Sequence, residues 1–319
     1  MTPKQPILLS FYAVTNGEKL MVFGHLTHSF KKDLNFKGFS STKTFFTLLS
    51  LYRTRFVANH EVEITFNTGK STVTTDAKGS FFLTADLLTG QTSVLDVQID
   101  GISVTFMPEL YDLTIHEIKT DTILISDIDD TVLHSYISNK FMKFLTLMFT
   151  AAERRRAVEP TMKLIREQYA QGVTPFYLSN SEQNLYPLIY RFLKHNNFPK
   201  GPLFLKEMRK LRDVFRGKKF PEQSLHKLTT LNLLLRFFPE KKFILVGDNT
   251  QHDLDIYLSM AEKFPACIKY IVILKVVKRP ADDEVVAYST ERLKQKRIGL
   301  YYGNEFPNQF NLKSNSTHT

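Results

Sequence analysis

Three carboxylates fall within four residues, at Asp127, Asp129 and Asp130, directly after the apolar run Ile123-Leu124-Ile125. Like charges this close repel one another unless a cation sits among them. Magnesium suits such a set, because it is hard, prefers oxygen and is often held by one or two carboxylates with phosphate and water. A calcium loop of the helix-loop-helix type needs Gly at its sixth place and Glu at its twelfth. Counted from Asp127, those places hold Val132 and Ser138, which excludes it.

Three more segments carry residues of matching chemistry. The run Val173 to Leu178 ends in Ser179-Asn180-Ser181, where a hydroxyl and backbone amides can hold phosphoryl oxygens. Taken alone, that tripeptide reads equally well as a loop and helix cap. Lys227 opens an apolar-periodic stretch at 226–238, where a cation can neutralise a transferring phosphate, although a lone lysine is more often an exposed one. The run Phe243 to Val246 leads into Gly247-Asp248, and Asp253 follows about one helical turn later. Asp248 can complete a magnesium shell, and Asp253 can orient a bound water or Lys227. Three of the four segments follow predicted parallel strands, whose carboxyl ends are where ligands bind in open α/β sheets. The combination is far more specific than any of its parts.

This arrangement resembles the haloacid dehalogenase superfamily of aspartate-nucleophile phosphatases. More narrowly, several segments look like the actin-patch-associated phosphatidate phosphatase family: Asp127-Ile128-Asp129-Asp130-Thr131, Ser179-Asn180-Ser181 with Asn184-Leu185-Tyr186-Pro187, His226-Lys227, and Gly247-Asp248 with Gln251-His252-Asp253 and Ile256-Tyr257. The resemblance covers roughly residues 120–278. It departs at Asn249-Thr250, where small residues are expected, and this puts only the local loop geometry in question. The resemblance implies Asp127 as the nucleophile that forms an aspartyl-phosphate, and Asp129 as the acid and base. It implies Mg2+ on Asp127, Asp248 and the Asp129 carbonyl. It implies phosphoryl contacts from Thr131, Ser179, the Asn180 backbone and Lys227, with Asp253 supporting Lys227 or the metal.

The elements that must position these residues can be read from periodicity. Up to about residue 118, alternating segments separated by turns predict a small β-sandwich of antiparallel strands: Leu20 to Leu26, Val62 to Phe66, Ser71 to Thr75, Ser80 to Leu83, Val94 to Ile99 and Ile102 to Phe106. Thr44 to Arg55 has helical spacing and is expected to cover an edge of that sandwich; an interfacial membrane helix is the alternative. This half, with Leu48-Leu49-Ser50-Leu51-Tyr52 and Thr75 to Phe81, is similar to the sandwich that precedes the catalytic domain in bacterial members of the family.

From 119 to 303 apolar strands alternate with helices at about 160–171, 184–197, 226–238 and 252–264, which predicts a doubly wound parallel α/β sheet of haloacid dehalogenase type. Residues 304–319 are expected to form a frayed tail.

Composition narrows the partners. The chain has 319 residues, 43% hydrophobic and 23% charged, with a net charge of +10 and a pI near 9.4. Such a balance favours anionic partners. The single cysteine, Cys267, forms no internal disulfide and is expected to be a buried, inert thiol. No signal-peptide core or spanning run is evident, so a cytoplasmic protein is expected, with peripheral membrane contact left open. Phe141 to Phe149 followed by Arg154-Arg155-Arg156, and the basic stretch Lys206 to Lys219, suit acyl chains and anionic headgroups. They suit a buried cap and a solvated face equally well.

Phosphatidate is the expected substrate. The alternatives are another soluble or nucleic-acid phosphomonoester, or a catalytically inert membrane-surface scaffold. Nucleic-acid binding is not expected, because the aromatic-basic interleaving it uses is missing.

Overall fold

The computed structural model describes residues 6–28, 55–128, 155–206, 222–249, 252–275 and 281–304. The predicted helix at 44–55 lies outside them except for Arg55. So do Phe141 to Phe149, the basic stretch beyond Lys206, and the tail beyond Asn304.

The first half builds two four-stranded sheets. One has the order β5-β2-β1-β8, from β1 (Pro6–Thr15), β2 (Lys19–His28), β5 (Ser80–Asp86) and β8 (Ile115–Glu117). The other has the order β4-β3-β6-β7, from β3 (Glu61–Phe66), β4 (Gly69–Thr74), β6 (Val94–Ile99) and β7 (Ile102–Ser103). In β3 the alternation is strict: Val62, Ile64 and Phe66 are buried while Glu63 and Thr65 are less so. The pairing is antiparallel except between β1 and β8, which run parallel. Both of those strands escape the sequence pattern. β8 has three residues, too few for a period. β1 is buried along nearly its whole length, so it shows no polar face.

That burial has a structural cause. Leu8 and Phe11 of β1 join a core that runs through the sandwich into the second half, while Val14 joins a separate core made mostly by the second half of the chain. A strand covered on both faces reads as continuously apolar.

The second half contains a six-stranded, all-parallel sheet of order β11-β10-β9-β12-β13-β14. Its strands are β9 (Thr122–Asp127), β10 (Thr174–Glu182), β11 (Leu203–Lys206), β12 (Lys242–Asp248), β13 (Ile268–Leu274) and β14 (Gly299–Gly303). The helices are α1 (Arg155–Ala170), α2 (Tyr186–His195), α3 (Glu222–Phe237), α4 (Asp253–Lys263) and α5 (Ala281–Gln295). Leu164, Leu188 and Phe192 of α1 and α2 pack with Leu124, Tyr177 and Ile244 on one side of the sheet. Leu231, Leu234, Ile256 and Tyr257 of α3 and α4 pack with Ile125, Phe176 and Leu245 on the other. The α5–β14 unit adds a strand that the periodicity does not reveal, because all five residues of β14 are half-buried at the sheet edge. Cys267 is half-buried, not enclosed, and burial pushes its thiol pKa up.

The sandwich rests on the outer edge of this sheet. The Asn16 Nδ2 donates to the Phe237 carbonyl at 2.7 Å, and the Ser80 hydroxyl donates to Gln183 Oε1 at 2.6 Å. The rings of Phe23 and Phe204 stand 4.7 Å apart between centroids. No helix among the described residues is long and apolar enough to cross a membrane.

Candidate active site

Register alone brings the site together. β9 lies between β10 and β12, with Asp127 opposite Leu178 and Ser126 opposite Val246. Ser179 and Gly247-Asp248 therefore flank Asp127 at the carboxyl edge of three adjacent strands. The parallel arrangement stacks these ends on one side, and hydrophobic runs hold them there: Ile123 to Ile125 and Phe243 to Val246 are each at most 1% exposed. Ser126 Oγ donates to the Asp127 carbonyl at 2.9 Å, and the Ile128 amide donates to the Leu178 carbonyl at 3.2 Å, which fixes the strand end.

The charged groups are enclosed. Asp127 is 4% exposed, Asp248 1%, and Lys227 and Asp253 0%. Lys227 reaches inward from α3. Its Nζ stands 3.0 Å from Asp127 Oδ1 and 2.5 Å from Asp253 Oδ1. A lysine in this position is not the exposed residue that its sequence context allows. Asp253, at the start of α4, also accepts the Asp248 amide on Oδ2 at 3.3 Å. It thus pairs with Lys227 and braces the turn after β12.

Ser179 is fully buried, and its Oγ accepts the Ser181 amide at 3.0 Å. Asn180 is half-buried beside it. Asp129 and Thr131 lie outside the described residues, as do Thr250 and Gln251.

Three residues sharpen the site beyond what their types announce. A Cβ on Gly247 would come within 2.9 Å of the Asp253 Cβ and nearer still to its Oδ2, so only glycine lets Asp253 approach. Tyr257, one turn beyond Asp253 on α4, donates its hydroxyl to the Val246 carbonyl at 3.0 Å and ties the helix under the site. Burial, followed by the nearby Asp253, holds its phenol pKa well above the usual value, so it stays neutral. Asn249, the departure from the expected small residue, has its own explanation. Its Nδ2 donates to the Tyr302 hydroxyl of β14 at 2.9 Å, and its amide donates to the Leu274 carbonyl at 3.1 Å. The turn is anchored to the outer strands by an amide in place of small residues.

The donor set fits a hard divalent cation. Asp127, Asp248 and Asp253 are three buried carboxylates against one buried ammonium, Lys227. An excess of buried negative charge is costly without a counter-ion. Asp127 and Asp248 supply oxygen donors from neighbouring strands, as magnesium prefers. No cluster of three His, Cys, Asp or Glu side chains able to hold a metal occurs among the described residues. Asp253 is committed to Lys227, and the third residue expected at the metal, Asp129, lies outside them.

Residues 122–275 match the family model described as the catalytic domain of phosphatidate phosphatase APP1. The chain is 32% identical over 208 residues to the Saccharomyces cerevisiae protein of that name, an alignment that covers 63% of this chain and 34% of the yeast protein. It is 29% identical over 155 residues to an uncharacterised protein of Schizosaccharomyces pombe, covering 48% of this chain and 25% of that one. The chain thus spans about a third or less of the length of these relatives. Among solved structures, a carbohydrate acetylesterase from Xanthomonas citri aligns over 98% of this chain and 71% of its own, at 11% identity and a TM-score of 0.28, too low to relate the folds. Strands β9 to β13, with every charged residue of the site, fall inside the matched range, so the site lies in the part of the chain that is similar to the catalytic domain of phosphatidate phosphatase APP1.

Proposed function

We propose that this chain is a magnesium-dependent phosphatase that hydrolyses phosphatidate to diacylglycerol through an aspartyl-phosphate. In this reading a haloacid dehalogenase-like catalytic domain, residues 119–303, follows a sandwich domain, residues 1–118, and precedes a tail at 304–319. The observation that carries the proposal is the buried Asp127 at the end of β9, 3.0 Å from a fully buried Lys227 that Asp253 holds in place. A surface acidic turn has no need of an enclosed lysine. A nucleophile that must meet a dianionic phosphoryl group does.

The chain's own residues then act in order. Lys227, Thr131, Ser179 and the Asn180 backbone bind the phosphoryl oxygens. An Asp127 oxygen attacks phosphorus and the bond to the leaving oxygen breaks, while Asp129 gives that oxygen a proton. Asp129 then takes a proton from water as the water attacks phosphorus. The Asp127–phosphorus bond breaks, phosphate leaves, and the carboxylate is restored. Asp127, Asp248 and the Asp129 carbonyl would hold Mg2+, whose charge offsets the carboxylates and aligns the phosphoryl group when bound. The basic balance and the lack of a spanning helix among the described residues support a peripheral enzyme working at an anionic cytoplasmic surface.

The test is phosphate release from phosphatidate in mixed micelles, with and without Mg2+, beside a soluble phosphomonoester and the Asp127→Asn variant. Release that requires Mg2+, favours phosphatidate and falls about 10⁴-fold or more in a variant still folded by circular dichroism is the expected result. Retained turnover in Asp127→Asn would overturn the mechanism. Turnover of the soluble ester alone would remove the lipid.

A further inference from the structure

A cleft of about 450 Å³ separates the sandwich from the catalytic sheet. Its walls include none of Asp127, Ser179, Lys227, Asp248 or Asp253, so it is a cavity beside the site and not the site itself. It nonetheless begins at the level of the chemistry. His226 precedes Lys227, Leu205 pairs in register with Ser179, and Gln183 directly follows β10.

From there the cleft runs along α3. His226, Thr230 and Leu233 all face it, at spacings of four and three residues that make one stripe down the helix. The edge strand β11 forms a second wall through Leu203, Phe204 and Leu205. The sandwich closes the third with Phe23, Phe81 and Phe82. Apolar carbon continues to the rim at Phe82, which is 42% exposed. Polar groups share the walls, Ser10, Thr74 and Asp76 from the sandwich among them, and the Ser80–Gln183 hydrogen bond joins the two halves.

We infer that this cleft receives an acyl chain of the phospholipid substrate and that the sandwich exists in part to form its outer wall. The inference rests on the phosphatidate reading above. Four features support it: a volume in the range of small-ligand sites, a position at a domain interface, walls half of whose residues are aliphatic or aromatic, and a start beside the phosphoryl-binding residues. A soluble phosphomonoester has no use for such a slot. A chain whose headgroup lies at Lys227 has one within reach.

The experiment uses the full chain carrying Asp127→Asn, so that substrate binds without turnover. It is mixed with phosphatidylcholine vesicles containing a phosphatidate with a photoreactive diazirine in one acyl chain, irradiated, and mapped by peptide mass spectrometry. The label is expected on segments 80–82, 203–205 and 226–233. Thr230→Trp, which narrows the slot, should reduce that label. In the chain with Asp127 intact it should lower kcat/KM on phosphatidate about tenfold more than on glycerol 3-phosphate. Label confined to other segments, or equal loss on both substrates, would overturn the acyl site. The two readings separate cleanly. Wild-type turnover of phosphatidate with the label elsewhere keeps the substrate and removes the acyl site. Absence of that turnover with the label in the cleft removes the substrate and keeps a lipid-binding slot.

Discussion

The two halves of the molecule bury polar groups in opposite ways. In the sandwich, the buried polar side chains are neutral and fasten the backbone. The Thr15 hydroxyl donates to the Lys19 carbonyl at 2.7 Å, that of Thr27 to the Arg55 carbonyl at 3.1 Å, and His25 Nε2 lies 3.0 Å from the Lys78 carbonyl. At the end of the parallel sheet charged groups are buried as well as neutral ones, and they meet one another: Lys227 bridges Asp127 and Asp253. Neutral groups bonded to the backbone stabilise a fold at small cost. Enclosed charges are weak contributors to stability and are retained for other reasons. The contrast locates function in the second half without reference to any motif, and it can be broken by experiment from either side.

The largest effect should come from removing the only buried cation of the described site. Lys227→Ala leaves Asp127 and Asp253 enclosed without the ammonium between them. An uncompensated buried charge costs about 3–5 kcal/mol. Urea unfolding should show that loss at neutral pH. A variant as stable as the parent at neutral pH would mean that the triad contributes nothing beyond its geometry, and the contrast between the halves would fail.

In the sandwich the corresponding effect is a matter of pH. Burial lowers the His25 pKa from 6.5 to about 4, and the Lys78 carbonyl opposes the shift only in part. Such a difference corresponds to about 3 kcal/mol of preference for the neutral ring. Above pH 6.5 both folded and unfolded chains carry the ring neutral, and the stability is full. As pH falls from 6.5 towards 4 the unfolded chain binds a proton that the folded chain refuses, so stability declines through that window. Melting followed between pH 7 and 4 should show this decline, and His25→Gln should flatten it. An equal decline in the variant would assign the acid sensitivity to other groups.

How far the sequence discloses the molecule follows from how many faces each element buries. Strands with one wet face, such as β3, announce themselves by alternation. The strands of the parallel sheet announce themselves as apolar runs ending in polar residues. β1 is an apolar run in a half whose other strands alternate, so it does not match the template of its neighbours. The short β8 and the half-buried edge strand β14 carry too little contrast to be seen. In the site, Asp127, Ser179 and Asp248 stand out by type and by place after a strand, and Lys227 by its place at the start of a helical stretch. The burial of Lys227 does not, because it depends on which face of α3 meets the sheet. The pairing of Asp253 with Lys227 is likewise a fact of packing. The cleft beside the site is legible only in three dimensions, since its walls come from segments more than a hundred residues apart.

The smallest effect on stability, and the finest test of the charged half, concerns a residue with no side chain. Gly247 precedes Asp248, and its missing Cβ is the space that Asp253 occupies. Gly247→Ala must displace Asp253 or bend the turn. Overpacking of this kind costs about 1–3 kcal/mol. The consequence for chemistry should be larger, because Asp253 holds both the Asp248 amide and Lys227. A shift of about 1 Å in positioned groups can cost on the order of a hundredfold in rate. Turnover should therefore fall about a hundredfold while the melting temperature drops only a few degrees. The loss should appear in kcat more than in KM if Lys227 acts on the transition state. Near-normal turnover would show that Asp253 can move without carrying Lys227 with it. The enclosed charges would then be independent neighbours, not one positioned unit.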